Sequence, residues 1–248
     1  PPSIPVILYG SITGASIPGL FMGGLTLGVL ITLGHVAVSY VIGKKRGYYV
    51  KKGEKVAGVN PEDPKGVLWA LLLIVFIMVT VSFGVFTATE SAAFSVVYSF
   101  VISKFVYKEL DLSRLGEIFQ KSMTQTGSVM AIVGSASAVA WVLSYNRIPQ
   151  MVADFLLTFA QTKLQFMLIV FVLLIIVGMI MDLTPANLIL APIFIAPIQA
   201  YGIDPIYFGV IFLAVLTAGL ITPPVGTLIY TSCSMTKTTF SQMNKALV

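Results

Sequence analysis

Between Phe21 and Ile42 the chain carries no Asp, Glu, Lys or Arg and a single histidine, His35, over a run that reaches about 33 Å as a helix. In hydrocarbon every backbone N–H and C=O must pair within its own segment, so a run of this kind crosses a bilayer as an α-helix. Composition extends the conclusion to the whole chain. Of 248 residues, 57% are hydrophobic and 10% are charged, where a soluble chain carries about a quarter charged residues. The expected fold class is an all-α polytopic membrane protein. One cysteine, Cys233, excludes an intrachain disulfide, and one histidine with one cysteine argues against a metal site of nitrogen and sulfur ligands. The net charge of +5 sits between apolar runs, where an anionic lipid leaflet, not nucleic acid, is the partner.

The pass along the chain gives further elements. Residues 43–65 hold seven lysines and arginines with Gly and Pro punctuation and read as a solvated loop. Val67 to Phe86 spans. The turn Thr87-Ala88-Thr89-Glu90 follows, and Ser91 to Val106 returns with Lys104 and Lys108 at its far end. Thr87-x-x-Glu90 before an apolar run is a capping box, which is the role assigned to Glu90. Leu110 to Met123 has apolar residues at helical spacing with Asp111, Arg114, Glu117 and Lys121 opposite, so an interfacial helix is expected. Thr126 to Leu143, rich in Gly, Ala and Ser, is a close-packing span, and Ile148 to Ala160 is a shorter amphipathic stretch. Phe166 to Met181 and Leu188 to Ala200 are short apolar arms around a polar tip, Asp182 to Asn187, which suggests a re-entrant hairpin. Ile206 to Leu220 and Thr227 to Met235 flank Thr222-Pro223-Pro224-Val225-Gly226, where two residues without N–H donors must interrupt a helix.

Alternating crossings put thirteen of the fifteen Lys and Arg on one side, leaving Arg147 and Lys163 opposite. By the positive-inside rule that side is cytoplasmic and the hairpin enters from outside. Irregular backbone at bilayer depth is tolerated only where it lines a cavity or is buried in protein, and broken half-helices present N–H groups to anions and carbonyls to cations. The two breaks are therefore the candidate ion and substrate site. The opening Pro1-Pro2, followed by an apolar run and Tyr9, matches Pro223-Pro224 followed by an apolar run and Tyr230, as corresponding positions of two repeats do. His35 reads as a packed or interfacial residue, and Cys233 as a small packing residue.

The sequence resembles the large membrane subunit of tripartite ATP-independent periplasmic (TRAP) transporters. The resemblance rests on Pro1-Pro2-Ser3-Ile4-Pro5, Gly84-Val85-Phe86-Thr87-Ala88-Thr89-Glu90-Ser91-Ala92-Ala93, Met181-Asp182, Tyr201-Gly202-Ile203-Asp204-Pro205 and Gly219-Leu220-Ile221-Thr222-Pro223-Pro224-Val225-Gly226. Ala88 stands where the family more often has Pro. The resemblance implies an inverted-repeat architecture of the ion-transporter superfamily with a re-entrant hairpin and an interrupted helix, working as an elevator in the bacterial inner membrane. It implies a sodium-coupled importer of an organic acid, of sialic acid or C4-dicarboxylate type, with a small membrane subunit, a periplasmic substrate-binding protein and no ATPase or other cofactor. Carried onto this chain, Ser3, Asp182, Thr184 and Asn187 become substrate-site candidates, and Gly219, Thr222, Pro223 and Gly226 become sodium candidates. Hard oxygen ligands suit a hard cation.

On that reading 1–42 is the remnant of a first repeat and 43–65 a cytoplasmic loop. A scaffold helix pair with an interfacial arm occupies 66–123, and a connecting span with an amphipathic segment 124–163. The second-repeat transport core is 164–235, and 236–248 starts the link to a last span, the chain being a C-terminal half that begins mid-protein. Asp182 faces an acidic substrate only if sodium, a hydroxyl or an amide intervenes. Another sodium/anion symporter of the same superfamily, a passive channel and an intramembrane enzyme are the alternatives. The enzyme reading lacks H-E-x-x-H, G-x-S-x-G and paired-aspartate motifs, so no catalytic residue is assigned.

Overall fold

The computed structural model describes residues 2–47 and 64–247. The lysines of the expected loop at positions 51, 52 and 55 lie outside the described residues. Among those described, the structure is helical, with no strand. The helices are α1 (Ile4–Thr13), α2 (Ile17–Arg46), α3 (Pro64–Ser82), α4 (Ala88–Val101), α5 (Leu115–Tyr145), α6 (Ile148–Phe159), α7 (Lys163–Ile180), α8 (Leu183–Ala200), α9 (Pro205–Leu220), α10 (Thr227–Thr236) and α11 (Phe240–Leu247). A π-helical turn at Ile102–Val106 extends α4, and a 3-10 turn at Leu112–Arg114 leads into α5. Among the described residues four segments are long and apolar enough to cross a membrane: Ile17–Arg46, Leu112–Tyr145, Lys163–Ile180 and Leu183–Ala200.

The chain forms two compact units, one of Pro1–Pro2 with Phe21–Leu115, the other of Ser3–Leu20 with Gly116–Val248. In the first, α3 and α4 form the expected hairpin. Phe76 and Phe94 stack with centroids 4.2 Å apart, and the Tyr98 hydroxyl donates to the Trp69 carbonyl at 2.9 Å. Gly84 turns the chain between them, and the amides of Val85 and Phe86 both donate to the Thr80 carbonyl. The capping box is formed in full. Glu90 N–H donates to Thr87 Oγ1, while Thr87 N–H and the Thr87 hydroxyl donate to Glu90 Oε2, each at 2.8 Å. These bonds hold the Glu90 carboxyl below the usual carboxylate range. Helix α2 runs further than its apolar stretch, placing Lys44, Lys45 and Arg46 in its last turn, where cations complement the helix dipole.

The second unit is built on α1 and α6 to α9 around an aromatic core. Tyr9, Phe166, Phe208 and Phe212 are fully buried, and the rings run in contact from Tyr9 through Phe212, Phe194 and Phe208 to Phe166 and Tyr201. In lipid, apolar burial gives little drive for helix association, so close packing and interhelical hydrogen bonds carry it. Both are present. The Tyr9 hydroxyl donates to the Pro205 carbonyl at 3.0 Å, and the Tyr201 hydroxyl reaches the carbonyls of Leu156 and Ala160 at 3.1 and 2.6 Å. Helix α6, expected as a connector, is thereby tied to the end of α8. It buries Ala153 and Leu156, while Met151, Phe155 and Phe159 face outward.

Two expected boundaries move. The interfacial helix ending at Met123 and the span starting at Thr126 are one helix, α5, unbroken from Leu115 to Tyr145. A change from amphipathic to apolar pattern is not a helix break, and no proline lies in this range. The polar segment between the two arms of the expected hairpin also shrinks, from Asp182–Asn187 to Met181-Asp182. Both arms are 18 residues long, not the short arms the apolar pattern suggests. Asp182 is the N-cap of α8, and Pro185 lies in its first turn, where no backbone N–H is needed.

Candidate functional site

The break between α9 and α10 is made by residue chemistry. The amides of Ile221 and Thr222 donate back to Ala218 and Gly219 at 3.3 and 2.9 Å, finishing α9. Pro223 and Pro224, joined by a cis bond, supply carbonyls without donors. Gly226 then adopts φ +52°, a left-handed conformation that glycine takes without strain, and starts α10. Its amide donates to the Met179 carbonyl at 3.3 Å. Met179 stands three residues before Asp182, so this break lies beside the connection between α7 and α8.

That approach depends on glycine. Gly178 of α7 and Gly219 of α9 cross backbone to backbone: a Cβ on Gly219 would stand 2.6 Å from Gly178 Cα, and one on Gly178 would stand 2.7 Å from the Leu216 carbonyl oxygen. No side chain there can yield. The sodium candidates thus fall at one break, Gly219 in the last turn of α9 and Thr222, Pro223 and Gly226 in the loop after it, with Gly219 and Gly226 buried. The Thr222 hydroxyl donates to the Ala218 carbonyl at 2.8 Å, which leaves its oxygen lone pairs available to a cation.

The substrate candidates gather at two helix starts. Ser3 occupies the N-cap position of α1 with extended backbone but makes no side-chain capping bond. Asp182 does cap: its Oδ1 accepts from the Thr184 amide at 3.3 Å, with Asp182 exposed. Asn187, one turn into α8, is fully buried, and its Nδ2 donates to the Pro5 carbonyl at 2.8 Å. The start of α1 therefore lies against the second turn of α8, about one helical turn from Thr184. The Asn187 amide is committed to this helix contact, and its Oδ1 is buried without a partner, which costs about 1–3 kcal/mol unless a donor reaches it.

A cavity of about 880 Å3 lies between Ile4, Ile7 and Leu8 of α1 and residues of α5 from Ser122 to Met130. None of the eight candidates lines it. Among the described residues no group of three or more His, Cys, Asp or Glu could hold a metal ion. Sequence reasoning missed Gly178 and Met179, which position the break from α7. The signal was a lone glycine inside an otherwise apolar helix, a mark of close helix approach.

The family model described as "Tripartite ATP-independent periplasmic transporter, DctM component" matches residues 1–248. The chain is similar to the C4-dicarboxylate TRAP transporter large permease protein DctM of Pseudomonas aeruginosa, 35% identical over 95% of the chain and 55% of that protein. It is similar to the sialic acid TRAP transporter large permease protein SiaM of Vibrio cholerae, 32% identical over 93% of the chain and 54% of that protein. It is also similar to the 2,3-diketo-L-gulonate TRAP transporter large permease protein YiaN of Escherichia coli, 32% identical over 97% of the chain and 56% of that protein. The chain thus spans little more than half the length of these curated relatives. On the match of the whole chain and on these relatives, the chain belongs to the DctM component family of tripartite ATP-independent periplasmic transporters.

Proposed function

We propose that this chain is part of the large subunit of a sodium-coupled secondary transporter in the bacterial inner membrane. The transporter takes up an organic acid delivered by a periplasmic binding protein and works with a small membrane subunit. The observation that carries the proposal is the juxtaposition of the two breaks, with the Gly226 amide on the Met179 carbonyl three residues before Asp182. A secondary transporter of this class holds ion and substrate between discontinuous helices. The relatives' names point to acids: sialic acid, C4-dicarboxylate and 2,3-diketo-L-gulonate.

The chemistry follows from the donor set. With Pro223 and Pro224 lacking N–H groups and the Ile221, Thr222 and Gly226 amides already bonded, the loop offers an excess of oxygen acceptors, which suits a hard monovalent cation. The residues that would hold sodium are Gly219, Thr222, Pro223 and Gly226, through carbonyls and the Thr222 hydroxyl. Bound there, sodium supplies positive charge near Asp182 and so lowers the repulsion an acidic substrate meets. Ser3, with its uncapped α1 N-terminus, and Thr184 supply N–H and hydroxyl donors to a substrate carboxylate. The coupling is thermodynamic: each ligand binds more tightly when the other is bound beside it.

In the inverted-repeat reading, α1 follows the break of the first repeat as α10 follows that of the second, each ten residues long. The body made by α1 and α6 to α9 is the moving part of an elevator, the α3–α4 hairpin belongs to the scaffold, and the start of α5 is the arm between them. The test uses the complete transporter in proteoliposomes with its binding protein. An inward sodium gradient is expected to drive accumulation of an organic acid with saturable kinetics. Uptake indifferent to the gradient would overturn the coupling, and flux that does not saturate would favour a channel.

A further inference from the structure

Asn187 is a polar side chain in an apolar position. It is 0% exposed, and its neighbours Ala186, Leu188 and Ala191 are buried too. Its Nδ2 crosses to the Pro5 carbonyl of α1 at 2.8 Å while its Oδ1 finds no partner. A residue that leaves an acceptor unpaired in the interior is there for what its donor does.

The donor acts at a distinctive point. Helix α1 is also held by the Tyr9 hydroxyl on the Pro205 carbonyl, with the Tyr9 ring lying over Gly209, where any Cβ would clash with it. Tyr9 anchors the middle of α1, which also packs along α8 and α9. Pro5 lies about one turn nearer the start of α1, so the Asn187 bond fixes the angle of the segment that carries Ser3. Asn187 itself lies about one turn from Thr184. We propose that Asn187 is a positioning residue: it holds the Ser3 start of α1 at a fixed place against the Asp182–Thr184 start of α8, so that donors from both helices form one substrate site. This assigns it an action through Ser3 and Thr184 and no contact with the substrate, and it rests on the transporter reading above.

The test is made in the full-length transporter with its small subunit and binding protein. Asn187→Leu fills the same place without a donor, and Asn187→Asp keeps the shape but loses the N–H. Both are expected to raise the KM for the organic acid at least about fivefold, the effect of one lost hydrogen bond, with kcat within about twofold of wild type. A folded variant of either kind with wild-type KM overturns the proposal. A second measurement leaves Asn187 intact: spin labels at Ser3→Cys and Leu183→Cys, in a Cys233→Ser background, report the separation of the two helix starts. One narrow distance, unchanged by sodium or substrate, is expected; a broad or ligand-dependent distribution overturns the proposal. The distance measurement does not depend on transport, so it is distinguishable from a failure of sodium-driven uptake in the wild type.

Discussion

Replacing Gly219 by alanine tests the crossing on which the site is built. The new Cβ would stand 2.6 Å from Gly178 Cα, 2.7 Å from the Gly178 carbonyl carbon and 3.1 Å from the Ile175 oxygen. Ordinary contact begins at 3.4 Å, so α7 and α9 part by 0.8 Å to reach it, the difference between 3.4 and 2.6. Forcing helices apart in this way costs about 1–3 kcal/mol. The same movement stretches the bond from Gly226 to Met179, already 3.3 Å, beyond hydrogen-bonding range and removes about 0.5–1.5 kcal/mol more. A total of about 1.5–4.5 kcal/mol lowers the thermal midpoint by about 3–18 °C, at about 2–4 °C per kcal/mol. The assay is tryptophan-fluorescence unfolding of the purified full-length protein. Gly34→Ala is the control, because a Cβ there meets nothing within 4 Å, and alanine in a helix interior gains about 0.5–1 kcal/mol over glycine. The two substitutions should therefore differ in sign. A Gly219→Ala midpoint at or above wild type would refute the crossing.

Tyr201→Phe keeps the stack on Phe166 but removes the hydroxyl from the Leu156 and Ala160 carbonyls; it should cost about 0.5–1.5 kcal/mol and speed hydrogen exchange at the end of α6. The Glu90 carboxyl is held below its usual range by the Thr87 amide and hydroxyl. Its contribution is therefore complete above the ordinary glutamate pKa and lost as pH falls through the lowered value, with the opening of α4 exchanging faster under acid. Glu90→Gln should flatten that pH dependence. Gly178→Ala puts a Cβ on the Leu216 carbonyl and should destabilise as Gly219→Ala does; a neutral effect would place the contact elsewhere.

The sequence showed where helices must fail more clearly than how they resume. Pro223-Pro224 removes two donors in succession, and the break lies there. Thr87-x-x-Glu90 specified a cap that forms atom by atom. The hairpin tip was read too long because Asp182-Leu183-Thr184-Pro185 looks like a loop, although an aspartate N-cap with proline in the first turn is a helix start. The division at Met123 failed because polarity along α5 changes with environment while its backbone does not. Contacts between distant segments were the least legible. Nothing local to Asn187 indicates that its donor meets Pro5, 182 positions away, or that Gly178 meets Gly219. Such pairings depend on the packing of whole helices.

Sodium binding at the break between α9 and α10, as proposed above, is tested most directly by equilibrium binding of radioactive sodium to the purified complete transporter. Thr222→Val keeps the side-chain shape and removes the hydroxyl oxygen. The wild type is expected to bind sodium saturably and without competition from potassium, with affinity weakened about tenfold in Thr222→Val, as loss of an oxygen ligand worth about 1.4 kcal/mol requires. Absence of saturable binding in the wild type, or equal affinity in the variant, would contradict it.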